Sequence, residues 1–147
     1  MNEASNPLVS SDISAAKCVV VVSDQLPVGL QANAGSVITM TLGRRVPDLV
    51  GPDVKDADGV LHPGIVLIPV PILVAAPDKV NEIWRAAAEH DLVRVGFSGL
   101  AQSCRTYDEY LDRMAAAATE ELDFAGVGLF GVKKLVNRLA GSLPLLR

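Results

Sequence analysis

Three stretches of this chain carry residue types at spacings that chemistry uses. The first is AGVGLFGVKKLVNRL, residues 125–139, in which Gly126, Gly128 and Gly131 spell G-x-G-x-x-G ahead of a helix-like segment. A loop of that kind cradles a dinucleotide when a strand precedes it, a helix follows it, and an acid about 20 residues on takes the ribose. Only the helix is legible here. EELDF before Gly126 does not read as a buried parallel strand, and none of the 16 residues after Gly131 is acidic. The competing reading makes 124–130 itself a strand, with Val127 and Leu129 on one face and Gly126 and Gly128 on the other. Strand glycines let another backbone, side chain or ligand approach closely, and this reading is preferred. Lys133 and Lys134 open the following helix, where free N–H groups and two ammonium groups suit an anion; two solvated lysines are the alternative.

The second stretch is SCRTYDEY, residues 103–110. Cys104 stands beside Arg105 and a helix start, and cations and helix N-termini favour the thiolate that nucleophilic chemistry needs. A C-x5-R phosphate loop is excluded because position 110 is tyrosine. The plainer reading is a small side chain before a capped helix. The third stretch, DVKDADGVLHPG, residues 53–64, holds Asp53, Asp56, Asp58 and His62. With Gly59 at the sixth position of a calcium loop, Val54 and Ile65 fall where oxygen ligands are required, so no calcium site is expected. One histidine among scattered acids is short of a transition-metal set. The segment reads as a solvated loop, or as one that covers a substrate, with His62 the candidate base. Cys18, inside KCVVVV, reads as core.

The elements that must position these residues alternate. Strands are expected at 17–22, 65–70, 92–98 and 124–130, and helices at 30–43, 77–90, 103–118 and 132–140. KCVVVV is a β-branched run typical of strands covered on both faces. Pro77 and Asp78 suit a helix first turn. Thr106 and Glu109 form a T-x-x-E capping box. The run PGIVLIPVPILVAAP, residues 63–77, is too short to span a membrane as a helix and is broken by Pro69 and Pro71. It reads as a buried strand that leaves the sheet at the prolines. The alternation predicts a three-layer α/β/α domain with a mixed, mostly parallel four-stranded sheet over 16–147, after a flexible tail at 1–15. Ligands of open α/β sheets bind beyond the carboxyl ends of strands. That rule selects Asp24 and Asn33 after the first strand, and Gln102 and Ser103 after the third.

Composition bounds the rest. The 147 residues are 50% apolar, 20% charged and 4% aromatic, which fits one globular domain with an aliphatic core. A net charge of −4 argues against nucleic acid and an anionic membrane surface as partners. Two isolated cysteines make no disulfide framework, so a reduced, cytoplasmic protein is expected. The first residues, MNEASNPLVSSDIS, lack the basic and apolar regions of a signal peptide.

KCVVVVSDQLPVGLQANA, VGPDVKDADGVLHPGI, AQSCRTYDEY and GVKKLVNRLAGSLPLLR together resemble DUF2000, a family of small bacterial proteins, over about residues 17 to 147. The resemblance implies the fold of the type II peptidyl-tRNA hydrolases, a mixed sheet between helix layers, and a homodimer. It implies no activity. Those hydrolases carry Gly-Lys, then Gln and His-Ala, at the start of their first helix. This chain has Gly29-Leu30 and Gln31-Ala32-Asn33 there, without the lysine or the histidine.

Three functions follow as alternatives. The first is a binding module for a small anionic ligand at the carboxyl ends of the strands, using Asn33, Gln102, Ser103, Arg105 and Lys133, with no cofactor and no metal. The second is a hydrolase or transferase diverged from the type II hydrolases, with Cys104 as nucleophile and His62 as base. The third is a dimeric interaction protein without catalysis.

Overall fold

In the computed structural model, which describes residues 13–147, a four-stranded sheet lies between two layers of helix. The chain runs β1 (Ala16–Ser23), α1 (Val28–Arg45), a short ribbon of β2 (Val54–Lys55) and β3 (Leu61–His62), then β4 (Ile72–Ala75) and α2 (Pro77–Ala87). It continues through β5 (Val93–Ser98), α3 (Gly99–Ser103), α4 (Tyr107–Ala115), β6 (Phe124–Val132) and α5 (Lys133–Ala140). Of the tail expected at 1–15, residues 1–12 lie outside the described residues, and Ile13–Ala15 form a 3-10 turn.

The strand order is β4-β1-β6-β5. The sheet is mixed as expected, but it is not mostly parallel. Only β1 and β4 pair in parallel; β6 enters between β1 and β5 and runs antiparallel to both. β1, β4 and β5 still point the same way, so their carboxyl ends share one edge with the start of β6.

Both faces of the sheet are covered, and this is why β1 and β6 are apolar runs without alternation. Val19, Val21, Val127 and Leu129 pack beneath α2 and α5 with Val80, Ile83, Val136 and Ala140. Cys18, Val20 and Val22 pack beneath α1 with Ala34, Ile38 and Leu42. The register Phe97–Gly126 followed by Ser98–Phe124 skips Ala125, a bulge that turns Phe124 toward α2. Phe124 stacks there on Trp84 at 4.6 Å, and the Arg94 guanidinium covers the other face of the indole at 3.8 Å.

Two expected boundaries move for local reasons. The strand expected at 65–70 is not in the sheet. Pro69 and Pro71 have no N–H to give to a ladder, so the chain enters the sheet only at Ile72, on the side of the prolines opposite to that expected. The helix expected at 103–118 starts only at Tyr107, and Ser103 ends a separate short helix, α3. Thr106 takes an extended conformation to cap α4, its hydroxyl accepting from the Glu109 N–H at 3.1 Å, and this breaks the chain after Cys104. No helix among the described residues is long and apolar enough to cross a membrane.

Candidate functional site

The carboxyl edge of the sheet gathers polar side chains from distant parts of the sequence. Gln31, buried in the first turns of α1, donates its Nε2–H to the Ser23 carbonyl at 3.0 Å and so fixes α1 on the end of β1. Ser98 ends β5 and caps α3, its Oγ accepting from the Ala101 N–H at 3.0 Å. With both helices anchored, Gln102 on α3 reaches α1. Its Nε2 donates to the Leu30 carbonyl at 3.0 Å and to Asn33 Oδ1 at 3.2 Å. Asn33 and Gln102, selected separately from sequence, therefore form one pair.

Beside that pair lies the turn between α3 and α4. Arg113 Nη1 donates to Ser103 Oγ at 3.0 Å, lies 3.6 Å from Cys104 Sγ, and pairs with Glu109 at 3.5 Å. Glu109 in turn accepts from the Arg105 backbone N–H at 3.1 Å. This departs from the expected capping box, since the carboxylate reaches the residue before the cap and not the cap itself. Arg113, which sequence reasoning missed, is the cation beside the thiol. The signal was present: Thr106, Glu109 and Arg113 follow at helical spacing, so the arginine shares the face on which the capping glutamate bends back over the turn. Arg105 is exposed, and no ion pair among the described residues holds its guanidinium.

Lys133 and His62 do not join this group. Ala16 pairs with Val132 at the far end of β1, while Val22 pairs with Gly126 near the carboxyl edge. Six strand residues separate the two levels, roughly 20 Å at a strand rise of 3.3 Å per residue. Lys133 instead borders a cleft of about 250 Å³ with Lys17, Asn137, Ile68, Pro69 and Pro71, where the Lys17 ammonium donates to Asn137 Oδ1. His62 lies on the β2–β3 ribbon and meets Asp56 Oδ2 at 2.8 Å. Asp56 also accepts from the N–H groups of Asp58 and Val60. The His62 hydrogen bond, then those backbone bonds, hold its carboxyl below the usual range. No hydrogen bond or ion pair among the described residues joins His62 to Cys104, so the structure does not assemble a Cys-His couple. Asp53 and Asp56 act as turn formers, and no group of three or more His, Cys, Asp or Glu is placed to hold a metal among the described residues.

The two thiols differ sharply. Cys18 is 1% exposed and burial pushes its thiol up to about 11, whereas Cys104 is half-buried at the rim. At pH 8 the native chain is therefore expected to release one equivalent of a disulfide reagent's chromophore quickly, and two after denaturation. Two fast native thiols would show that the sheet does not enclose Cys18. Loss of the fast phase in Cys104→Ser would assign it.

A family model described as a protein of unknown function (DUF2000) matches residues 16–147. Among curated proteins none matches the chain. A solved structure of a protein of unknown function from Agrobacterium tumefaciens strain C58 has the same fold at 14% identity, with a TM-score of 0.83, over 90% of this chain and 98% of that one.

Proposed function

The chain belongs to the DUF2000 family, and from that premise we propose that it is a binding module for a small anionic ligand held at the carboxyl edge of its sheet. The observation that carries this reading is the Gln102 side chain, which bridges to Leu30 and Asn33 across some 70 residues of sequence. That bridge uses both N–H groups of Gln102 Nε2 and accepts at Asn33 Oδ1, so Asn33 Nδ2 is the donor of the pair that takes no part in it. Ser103 and Arg113 follow at the next turn of chain, where Arg105 is exposed. The Asn33 amide N–H groups, held in place by Gln102, and two guanidinium groups recognise a carboxylate or phosphate by directed hydrogen bonds and charge. The location agrees with the general position of ligand sites in open α/β sheets. Kinship with the type II peptidyl-tRNA hydrolase fold, which the mixed sheet between helix layers supports, belongs to the same proposal, as does a cytoplasmic location. The hydrolase chemistry does not, because Gly29-Leu30 and Gln31-Ala32-Asn33 hold neither the lysine nor the histidine that it uses.

The test is thermal unfolding against a panel of small carboxylates and phosphate esters. A ligand at a hundred times its Kd adds about 2.7 kcal/mol, which is about 8 °C for a domain of this size. That shift is expected to vanish in Arg113→Gln and Gln102→Ala and to persist in Lys133→Gln. A shift abolished only by Lys133→Gln would move the site to the cleft at the opposite edge. No shift with any member of the panel would overturn the reading.

A further inference from the structure

The segment between α1 and β4 is ordered, yet much of its apolar surface is uncovered. We infer that this arm, residues 50–67, clasps a second copy of the chain, each copy offering the same surface to the other. The inference is independent of the ligand site above.

The arm is built to hold its shape. At its root Gly51 N–H donates to the Ile65 carbonyl at 2.9 Å and Leu67 N–H to the Leu49 carbonyl at 2.8 Å. Gly64 crosses Gly51 so closely that a Cβ on Gly64 would lie 1.9 Å from the Gly51 oxygen. Asp53 accepts from the Gly64 N–H, Asp56 closes the tip, and Gly59 supplies the positive φ of 81° that the turn needs. An arm so fixed loses little entropy on docking.

What it presents is apolar on both sides. In the ribbon register Val54 pairs with His62, and Lys55 with Leu61. Val54 and Leu61 therefore point to opposite faces, and each is 57% exposed. Ile65 is 80% exposed, and Val60 and Leu67 more than half. A two-stranded ribbon bare on both faces is marginal in water by itself, and among the described residues the body of the chain leaves both faces exposed. Val50 and Val66 at the root are also more than two-fifths exposed, so seven apolar side chains of the arm stand open to solvent. A two-fold arrangement brings the residues of one face to the interface twice, once from each copy. Charge agrees with a self-complementary contact. Asp53 and Asp56 are engaged inside the arm, whereas Lys55 and Asp58 form no ion pair among the described residues and can meet across the axis.

The experiment is the molar mass of the full chain by sedimentation equilibrium, for wild type and for Leu61→Lys/Ile65→Lys. The wild type is expected at twice the 15.5 kDa chain mass. The double variant should be monomeric, with a dimer Kd weakened by on the order of 100-fold or more because each substitution acts twice across the axis. Circular dichroism checks that it folds. Should it not fold, Ile65→Ser alone and the concentration dependence of wild-type hydrogen exchange at Val60 and Leu61 carry the test. A wild type monomeric at every concentration would overturn the inference. So would a dimer unaffected by these substitutions, which would place the interface elsewhere, for example at the open edge of β5.

Discussion

Replacing Gly128 by valine is expected to lower the unfolding free energy by about 3 kcal/mol and the midpoint of thermal unfolding by on the order of 10 °C. Gly128 faces α1 from the centre of β6. A Cβ there would lie 2.4 Å from Ile38 Cγ2 and 2.8 Å from Leu42 Cδ1. Ile38 is fully buried and stiff at its branched carbon, so it cannot swing away, and Leu42 beside it is buried as well. The new methyl groups must push α1 off the sheet, and Gly126, 2.9 Å from Ile38 by the same construction, shows that the close approach runs along the strand. Valine's better strand propensity and glycine's lost flexibility return about 1 kcal/mol at most. Denaturant unfolding of G128V measures the effect. Adding Ile38→Ala should recover part of it as a coupling energy. A G128V chain as stable as wild type would show that α1 does not rest on these glycines. Since α1 carries Asn33 and receives Gln102, the same variant should also weaken any ligand held at the carboxyl edge.

Gly64→Ala is expected to act on a different part of the molecule. The clash is with backbone, at 1.9 Å from the Gly51 oxygen, and no rotamer relieves it. The two strands of the arm's root must separate by more than an ångström. That breaks the bond from Gly51 to Ile65 and the one from Gly64 to Asp53. The sheet core lies beyond the crossing, so global stability should fall by about 1–3 kcal/mol while the arm opens almost completely. Amide exchange at Gly51, residue 64 and Leu67 should rise by orders of magnitude with little change in β1 and β6. Limited proteolysis should cut within 50–67. If the arm clasps a second copy, the dimer is lost together with the protection. Unchanged protection at Gly51 would mean that the two segments do not cross as described.

These variants also mark how far local sequence reaches. The glycine spacing at 126–131 reads as a strand because no strand precedes it and no acid follows it, and β6 occupies 124–132. The Thr106 cap, the buried Cys18 and the order of strands and helices were likewise legible. Capping, burial periodicity and β-branched runs are set by neighbours a few residues away. The prolines at 69 and 71 carried the position of β4 as well, although the side on which the chain would join the sheet was misjudged. What the sequence did not contain was the direction of β6. A central strand covered on both faces is an unbroken apolar run whether it pairs parallel or antiparallel, since the pattern records burial and not the partner.

That single long-range choice decides the candidate site. By entering antiparallel between β1 and β5, β6 carries Lys133 to the edge of the sheet opposite Asn33 and Gln102, and so removes it from a cluster that residue types alone had suggested. The pairing of Asn33 with Gln102, the contact of Arg113 with Ser103 and Cys104, and the separation of His62 from Cys104 are decided at the same level. Each depends on which strand ends lie side by side, and that is fixed by packing two helix layers onto one sheet. The sequence by itself determined the elements, their caps and the faces they bury. The tertiary structure alone decided which ends meet, because strand order and direction are won by the total burial of the core and not by any local pattern.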